Sequence, residues 1–377
     1  MSAKSLTTNT LMSSLSRAIL VKYRPILPNP FTPIFFILFF FKNTIYPTIV
    51  DVKYSKALKT RIVDKRTIVL TFPSHLQPLF CEMMVTFVRT KIHLTFSMET
   101  NEIKRIASQV RRDIVRMVAA VKSGHPGGSL GCTDFLATLY FHQMKYNSAN
   151  FSMNGQGEDL FFLSNGHISP VWYSILARAG YFPVPELATF RKISSRLQGH
   201  PSTDKNLPGI RMASGSLGQG LSVALGAAEA KKLNGDKSIV YTLHGDGELQ
   251  EGQIWEAAIY AAARKIDNVI ATIDYNGRQI DGDLEDVMSL GNLAQKWQAF
   301  GWEVLEMDGH NVDEIKSLLE KAKSMTGNGK PIVIIMKTEM GQGIDFMMGS
   351  HKWHGVAPND EQLADALGQL EETLGDY

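Results

Sequence analysis

Asp246 and Asn276 stand 30 positions apart, each just beyond the end of an apolar run. The first run, Ser238 to Leu243, leads into Gly245-Asp246-Gly247; the second, Asn268 to Asp274, leads to Asn276. Between them Gln253 to Lys265 is rich in Ala and free of Gly and Pro, a helical composition. Strand, helix, strand makes a βαβ unit, and its right-handed crossover sets the two strands parallel in one sheet. Both side chains then lie beyond the carboxyl ends of strands, where open α/β sheets bind ligands. A carboxylate and an amide oxygen on one rim suit a hard cation such as Mg²⁺, which prefers oxygen ligands and commonly keeps a diphosphate in its shell.

Five histidines fall in places that can converge on the same rim. His125 and His200 each sit in a Gly-His-Pro turn, His167 follows a short apolar run, and His351 and His354 lie beyond the last predicted strand. The elements that carry them alternate. Thr100–Lys122 shows apolar residues at three and four spacing and predicts a helix, stopped by Ser123 to Gly128. Thr133–His142 predicts a second helix capped by Thr133, Asp159–Leu163 a strand, and Pro170–Ala179 a helix. A long irregular stretch, Tyr181 to Met212, precedes a small-residue helix that opens at Ser214–Gly220 and runs to Leu233. After the βαβ unit come a strand Trp302–Met307, a helix Asp313–Lys323, a strand Pro331–Lys337 and a final helix Asp360–Leu374. The expected fold class is α/β, a mainly parallel sheet flanked by helices.

The bulk numbers fit a globular body with a foreign start. The net charge of +2 hides two halves: residues 1–97 hold 13 Lys/Arg against 3 Asp/Glu, while residues 98–377 hold 26 against 34. An acidic body gives no reason to expect nucleic-acid binding. The two cysteines, Cys81 and Cys132, make neither a disulfide framework nor a metal spacing, which fits a reducing, cytoplasmic compartment. Residues 1–97 show no recognisable strand–turn order. Their run Phe31 to Phe41 is very apolar but short for a membrane span and is interrupted by Pro33. The division expected is an extension over 1–97, outside the working fold, and one domain over 98–377, with Met98 just before the first amphipathic helix. The extension reads as an upstream reading-frame addition, a targeting or anchoring segment, or an extra element.

The wording around the βαβ unit, GDGELQEG…WEAA…DNVIA…DYNGRQIDG, resembles transketolase, and GDG followed some thirty residues later by Asn resembles the thiamine diphosphate signature. SGHPGG, LSNGH, QGHP and WHG extend the resemblance over about residues 98–377. It implies a thiamine diphosphate-binding domain and transfer of a two-carbon ketol unit between sugar phosphates. It implies Asp246, Asn276 and the backbone carbonyl of Arg278 as Mg²⁺ ligands, with Gly245 and Gly247 letting the backbone approach the phosphates. It places His167 and His351 at the diphosphate, and His125 and His200 at the substrate as proton-handling groups, with His351 also counted among the catalytic histidines. Arg191 matches an Arg that holds the acceptor phosphate. Ser214–Gly220, with Gly215, Leu217 and Gly218, resembles a Gly-Pro-Leu-Gly-Gln-Gly loop beside the thiazolium, although Ser216 stands where the family has Pro. Glu251 and Glu256 match a carboxylate network near the cofactor that links paired sites.

The same resemblance implies a division of labour. The Glu that activates the aminopyrimidine belongs to a second domain, which this sequence does not show. The expectation is the N-terminal subunit of a split transketolase, working with a C-terminal subunit in a heterotetramer. A subunit like 1-deoxyxylulose-5-phosphate synthase or a 2-oxo acid dehydrogenase, or a non-catalytic thiamine diphosphate module, would share GDG…N.

Overall fold

The computed structural model describes residues 98–377 and, before them, the backbone of three strands, β1 (Phe35–Phe39), β2 (Lys59–Asp64) and β3 (Thr67–Thr71). The chain divides into two units, Met1–His93 and Leu94–Tyr377. In the first, the three strands form an antiparallel sheet in the order β1-β3-β2. The sequence pattern does not announce these strands, and the reason is chemical: Lys65-Arg66, not Asn-Gly or Asp-Gly, separates β2 from β3. The readings of 1–97 as an addition, a targeting segment or an extra element fall largely outside the described residues, as does Cys81. Among the described residues, no helix is long and apolar enough to cross a membrane.

The second unit is built on a five-stranded parallel sheet of β4 (Leu160–Leu163), β5 (Val240–Gly245), β6 (Val269–Tyr275), β9 (Glu303–Asp308) and β10 (Ile332–Lys337), in the order β4-β5-β6-β10-β9. It is the α/β architecture expected. Alternate side chains feed two cores. Tyr241, Leu243 and Ile270 pack on one face with α1 (Thr100–Val121), α4 (Ser169–Arg178) and α9 (Val312–Met325). Val240, Val269, Ala271 and Ile273 pack on the other with α5 (Gln219–Leu233), α6 (Gly252–Ala263) and α8 (Leu293–Ala299). Strands buried on both faces explain the near-continuous apolar runs in the sequence.

Several expectations change. The breaker read over Ser123 to Gly128 runs into a short helix, α2 (Pro126–Gly131). Pro is tolerated in a first turn, and these glycines serve close packing. A Cβ on Gly127 would lie 2.6 Å from Met340 Cγ, and one on Gly131 would lie 3.0 Å from the Glu339 carbonyl oxygen. Thr133 is not a cap: α3 (Thr133–Thr138) is preceded by Cys132, and Thr133 Oγ1 donates to the Ser129 carbonyl at 2.9 Å. The rest of that predicted helix widens into a π turn over Leu139–Gln143. Beyond β6 the chain forms a small hairpin, β7 (Arg278–Gln279) and β8 (Gly282–Asp283), and a helix, α7 (Leu284–Met288), before α8. The last helix, α10 (Asp360–Gln369), closes short of Leu374. The segment after it folds back onto α1, where Asp376 pairs with Arg112 at 2.8 Å and Arg116 at 2.9 Å.

Candidate active site

The carboxyl ends of β4, β5, β6 and β10 meet at one rim above a cavity of about 280 Å³. Each strand end contributes. β4 runs out into Asn165 and His167, β5 into Gly245, Asp246 and Gly247, β6 into Asp274 and Asn276, and β10 toward Met340. His125 precedes α2, His200 comes from the irregular stretch, and Gly215 and Leu217 from the loop before α5. The loop approaches closely: Gly215 adopts φ +117°, and a Cβ there would stand 2.5 Å from His200 Cδ2.

Asp246 is buried, and its two oxygens accept from Gly247 N and Gly277 N, each at 2.7 Å. Asp274, fully buried beside it, accepts from Thr338 Oγ1 and from Asn276 Nδ2. Neither carboxylate has an ion-pair partner among the described residues. Burial, reinforced by the neighbouring Asp274 charge, pushes Asp246 up to about 7; burial also raises Asp274. Two buried carboxyls without a cation are what a metal ion would relieve. Asn276 Oδ1 accepts from Arg278 N at 3.0 Å and keeps a second lone pair. Among the described residues no group of three or more His, Cys, Asp or Glu side chains is arranged to hold a metal. A cation here would therefore draw on an amide oxygen, a backbone carbonyl and ligand oxygens, in keeping with hard-ion chemistry. His125 Nδ1, His354 Nδ1 and Asn165 Oδ1 are buried on the cavity without a hydrogen-bond partner among the described residues. These unused donors and acceptors fit a polyanionic, hydroxyl-bearing ligand.

The histidines form a cluster. Ring centroids of His125 lie 5.0 Å from His167, 5.6 Å from His354 and 6.4 Å from His200, and His167 lies 5.1 Å from His354. Burial, and then mutual repulsion, pushes His125 down to about 4 and His167 well below its ordinary value. His200 and His354 are lowered too, chiefly by burial. All four are neutral at pH 7.

That cluster carries a pH cost with a definite sign. Between pH 6.5 and about 4 the unfolded chain binds protons that the folded cluster refuses. Its contribution to stability is present above pH 6.5 and lost as pH falls toward 4. The raised Asp246 works in the opposite direction between 3.8 and about 7, so a single variant separates the two effects. His125→Gln is expected to flatten the fall in melting temperature between pH 6.5 and 4. A slope equal to the parent's would contradict this.

Not every residue read from the sequence arrives in the cavity. His351 does not line it; it lies on a neighbouring opening, and His354 takes the place expected for it. The two sit on one turn, His351–His354, and the turn rather than the spacing decides which faces inward. Glu251, read as cofactor-binding, is exposed at the start of α6, and Glu256 is exposed on that helix. Glu248 lines the cavity instead. Its carboxylate accepts from Ser164 Oγ, from Gly218 N at 2.9 Å and from Gly245 N at 3.1 Å, tying three cavity walls together. Burial alone would raise Glu248, but His244, Ser164 and the Gly218 amide hold it below its ordinary value. Gly218 thus serves the cavity through its N–H and does not line it. Arg191 does not line the cavity; it adopts a positive φ, donates to Ser123 Oγ at 2.8 Å, and leaves Nε buried without a hydrogen-bond partner among the described residues. The Arg278 side chain pairs with Glu339 at 2.6 Å. Asp274, Asn165 and Glu248 escape a reading of the sequence because each looks locally like a strand end or a turn.

An α/β domain that gathers a buried Asp, an Asn and four imidazoles at its strand ends has the form of a thiamine diphosphate-binding domain. Residues 102–373 match the family described as "Transketolase, thiamine diphosphate binding domain", and the chain belongs to that family. It is 40% identical over 271 residues to the 6-deoxy-6-sulfo-D-fructose transketolase subunit of Clostridium sp. (strain MSTE9), covering 72% of this chain and 97% of that one. It is 38% identical over 278 residues to one subunit of the apulose-4-phosphate transketolase of Actinobacillus succinogenes, covering 74% and 99%. The crystal structure of Campylobacter jejuni transketolase superposes with a TM-score of 0.67 at 35% identity, over 72% of this chain and 43% of that chain. The chain thus spans nearly the full length of relatives named as subunits and under half of that solved transketolase.

Proposed function

We propose that this chain is the diphosphate-binding subunit of a split, cytoplasmic transketolase using thiamine diphosphate and Mg²⁺. It moves a two-carbon ketol unit from a ketose phosphate such as xylulose 5-phosphate to an aldose phosphate such as ribose 5-phosphate, chemistry of the pentose phosphate pathway. The observation that carries the reading is the pair Asp246 and Asn276 at adjacent strand ends, the former a buried carboxylate lacking a counter-charge among the described residues. In this reading residues 98–377 do the work and 1–97 are dispensable. The partner supplies the aminopyrimidine half of the site and its activating Glu, in a heterotetramer. The names of the two subunit relatives support a partner.

Asp246, Asn276 and the Arg278 carbonyl would hold the cation, and His167 and His354 would donate to the diphosphate. When bound, the cofactor supplies an electron sink for the carbanion left as the ketose carbon–carbon bond breaks. His125 and His200, neutral at pH 7, accept hydrogen bonds from sugar hydroxyls and are free to take up and return a proton. After burial, the Arg191 charge helps keep both imidazoles unprotonated.

A second substrate reading follows from the relatives. The donor would be a sugar such as 6-deoxy-6-sulfo-D-fructose or apulose 4-phosphate, the sugars in their names. Sulfonate and phosphate are both anions that the Arg191 fork can hold. The test is turnover by the full chain, alone and mixed with a separately encoded chain carrying the aminopyrimidine half of the site, against these donors in turn. The chain alone is expected to be inactive and the pair active. Full turnover by the chain alone, with a co-purified partner excluded by mass spectrometry, would refute the split-enzyme reading.

In the reconstituted pair, Arg191→Ala is expected to raise KM for phosphorylated acceptors about ten- to a hundredfold, the worth of one charge-assisted contact. Unphosphorylated acceptors should change little. An equal effect on both would place Arg191 away from the anion.

A further inference from the structure

We infer that His310, backed by Asp134 and Arg111, is a positioning residue that sets the floor of the cavity from outside it. The inference rests on the reading of the cavity as a metal–diphosphate site. His310 lines no part of it and stands just after β9, on the turn that leads into α9. Its Nε2 accepts the backbone N–H of Glu339 at 2.8 Å, and its Nδ1 faces Asp134 Oδ2 at 3.3 Å. A backbone N–H can only donate, so Nε2 must carry the lone pair and Nδ1 the proton. Asp134 is buried and held in place by a two-pronged pair with Arg111, at 3.1 and 2.6 Å. Arg111 in turn donates from Nε to the Gln342 carbonyl at 3.1 Å.

These contacts grip both ends of the segment Glu339–Gln342, which leaves β10 toward the site. Its middle is pinned as well: Gly341 N donates to the Gly127 carbonyl at 2.9 Å. What the segment and its neighbour carry explains why its position matters. Thr338 Oγ1 donates to Asp274 Oδ1, beside Asp246. The Glu339 carboxylate holds the Arg278 side chain, and with it the turn whose carbonyl would face the metal. The Met340 side chain lines the cavity. A shift of this segment would move three sides of the site at once, although His310 itself touches no ligand. Residues behind a metal site typically change metal affinity ten- to a hundredfold when removed, because they orient the groups in front.

The experiment uses the full chain and two variants. His310→Gln can still accept the Glu339 N–H through its oxygen and donate to Asp134 through its nitrogen; His310→Leu can do neither. The probe is inorganic diphosphate with Mg²⁺, titrated calorimetrically well below the melting temperature of each variant. Absence of binding to the unaltered chain sinks the reading of the cavity itself and is seen before any variant is used. With binding established, His310→Leu is expected to weaken it about tenfold or more, and His310→Gln to stay within about threefold of the parent. Selective ¹⁵N labelling of histidine should show the Nδ1–H tautomer at His310. An unchanged affinity in His310→Leu, a loss as large in His310→Gln, or an Nε2–H tautomer would each overturn the assignment.

Discussion

Asp246→Asn is expected to abolish Mg²⁺-dependent binding of thiamine diphosphate, a loss of at least about a hundredfold, or about 2.7 kcal/mol. The substitution keeps shape and removes charge. A carboxylate that bridges cation and protein would become a neutral amide, and the diphosphate charge would lose part of its balance. The local geometry adds to the loss. Both Asp246 oxygens accept backbone N–H groups, from Gly247 and Gly277, and an amide offers only one oxygen for the two. Asn276→Ala should weaken binding less, since a neutral ligand is removed. Calorimetry with Mg²⁺ in excess decides the matter, and an Asp246→Asn chain that binds the cofactor as the parent does would show that the ligand assignment is wrong.

Gly166→Ala is the second change with a large expected effect. A Cβ at Gly166 would lie 2.6 Å from Ser214 Oγ, 2.7 Å from Gly215 N and 2.7 Å from the Ser214 carbonyl carbon. Two of those neighbours are backbone, which cannot rotate aside. The segment that brings Gly215 and Leu217 to the cavity would have to retreat, at a cost of about 1–3 kcal/mol in stability. Cofactor affinity should fall about tenfold or more, since a displacement on the order of 1 Å is enough to spoil a preorganised site. Gly180→Ala serves as a control for strain alone: Gly180 has φ +85°, but a Cβ there meets only Ser148 Oγ, at 3.5 Å. It should lower the melting temperature without changing affinity. Equal cofactor affinity in Gly166→Ala and the parent would mean that the loop does not shape the site.

The parts of this protein that are legible in its sequence are those whose local chemistry has one use. An apolar run ending in Gly-Asp-Gly, an Ala-rich helix and a second run ending near Asn276 announce a βαβ unit, and β5, α6 and β6 form it. His125, His167 and His200 sit beside Gly in turns, and they converge at the rim. What is illegible depends on contacts distant in sequence. His351 and His354 share one turn, and only its packing shows that His354 faces His125 and His167. Glu248 and Glu251 share one short stretch, yet Ser164, some eighty residues earlier, selects Glu248 as the buried one. Gly127 and Gly128 read as chain breakers because Gly disfavours helix, but a Cβ would lie 2.6 Å from Met340 Cγ at Gly127 and 2.9 Å from Ile168 Cγ2 at Gly128, so Gly serves close packing here. Helices α7 and α8 are short and follow a hairpin without a strong turn signature, so periodicity does not reveal them.

In the proposed function, the rim of β5 and β6 holds a metal ion and the diphosphate end of a cofactor. Diffraction from crystals of the full chain grown with thiamine diphosphate, and with Mn²⁺ as an anomalous stand-in for Mg²⁺, tests it most directly. One anomalous peak is expected about 2.1 Å from a side-chain oxygen of Asp246 and from Asn276 Oδ1, with diphosphate oxygens completing the shell between His167 and His354. A metal bound elsewhere, or a diphosphate lodged away from Asp246, would contradict it.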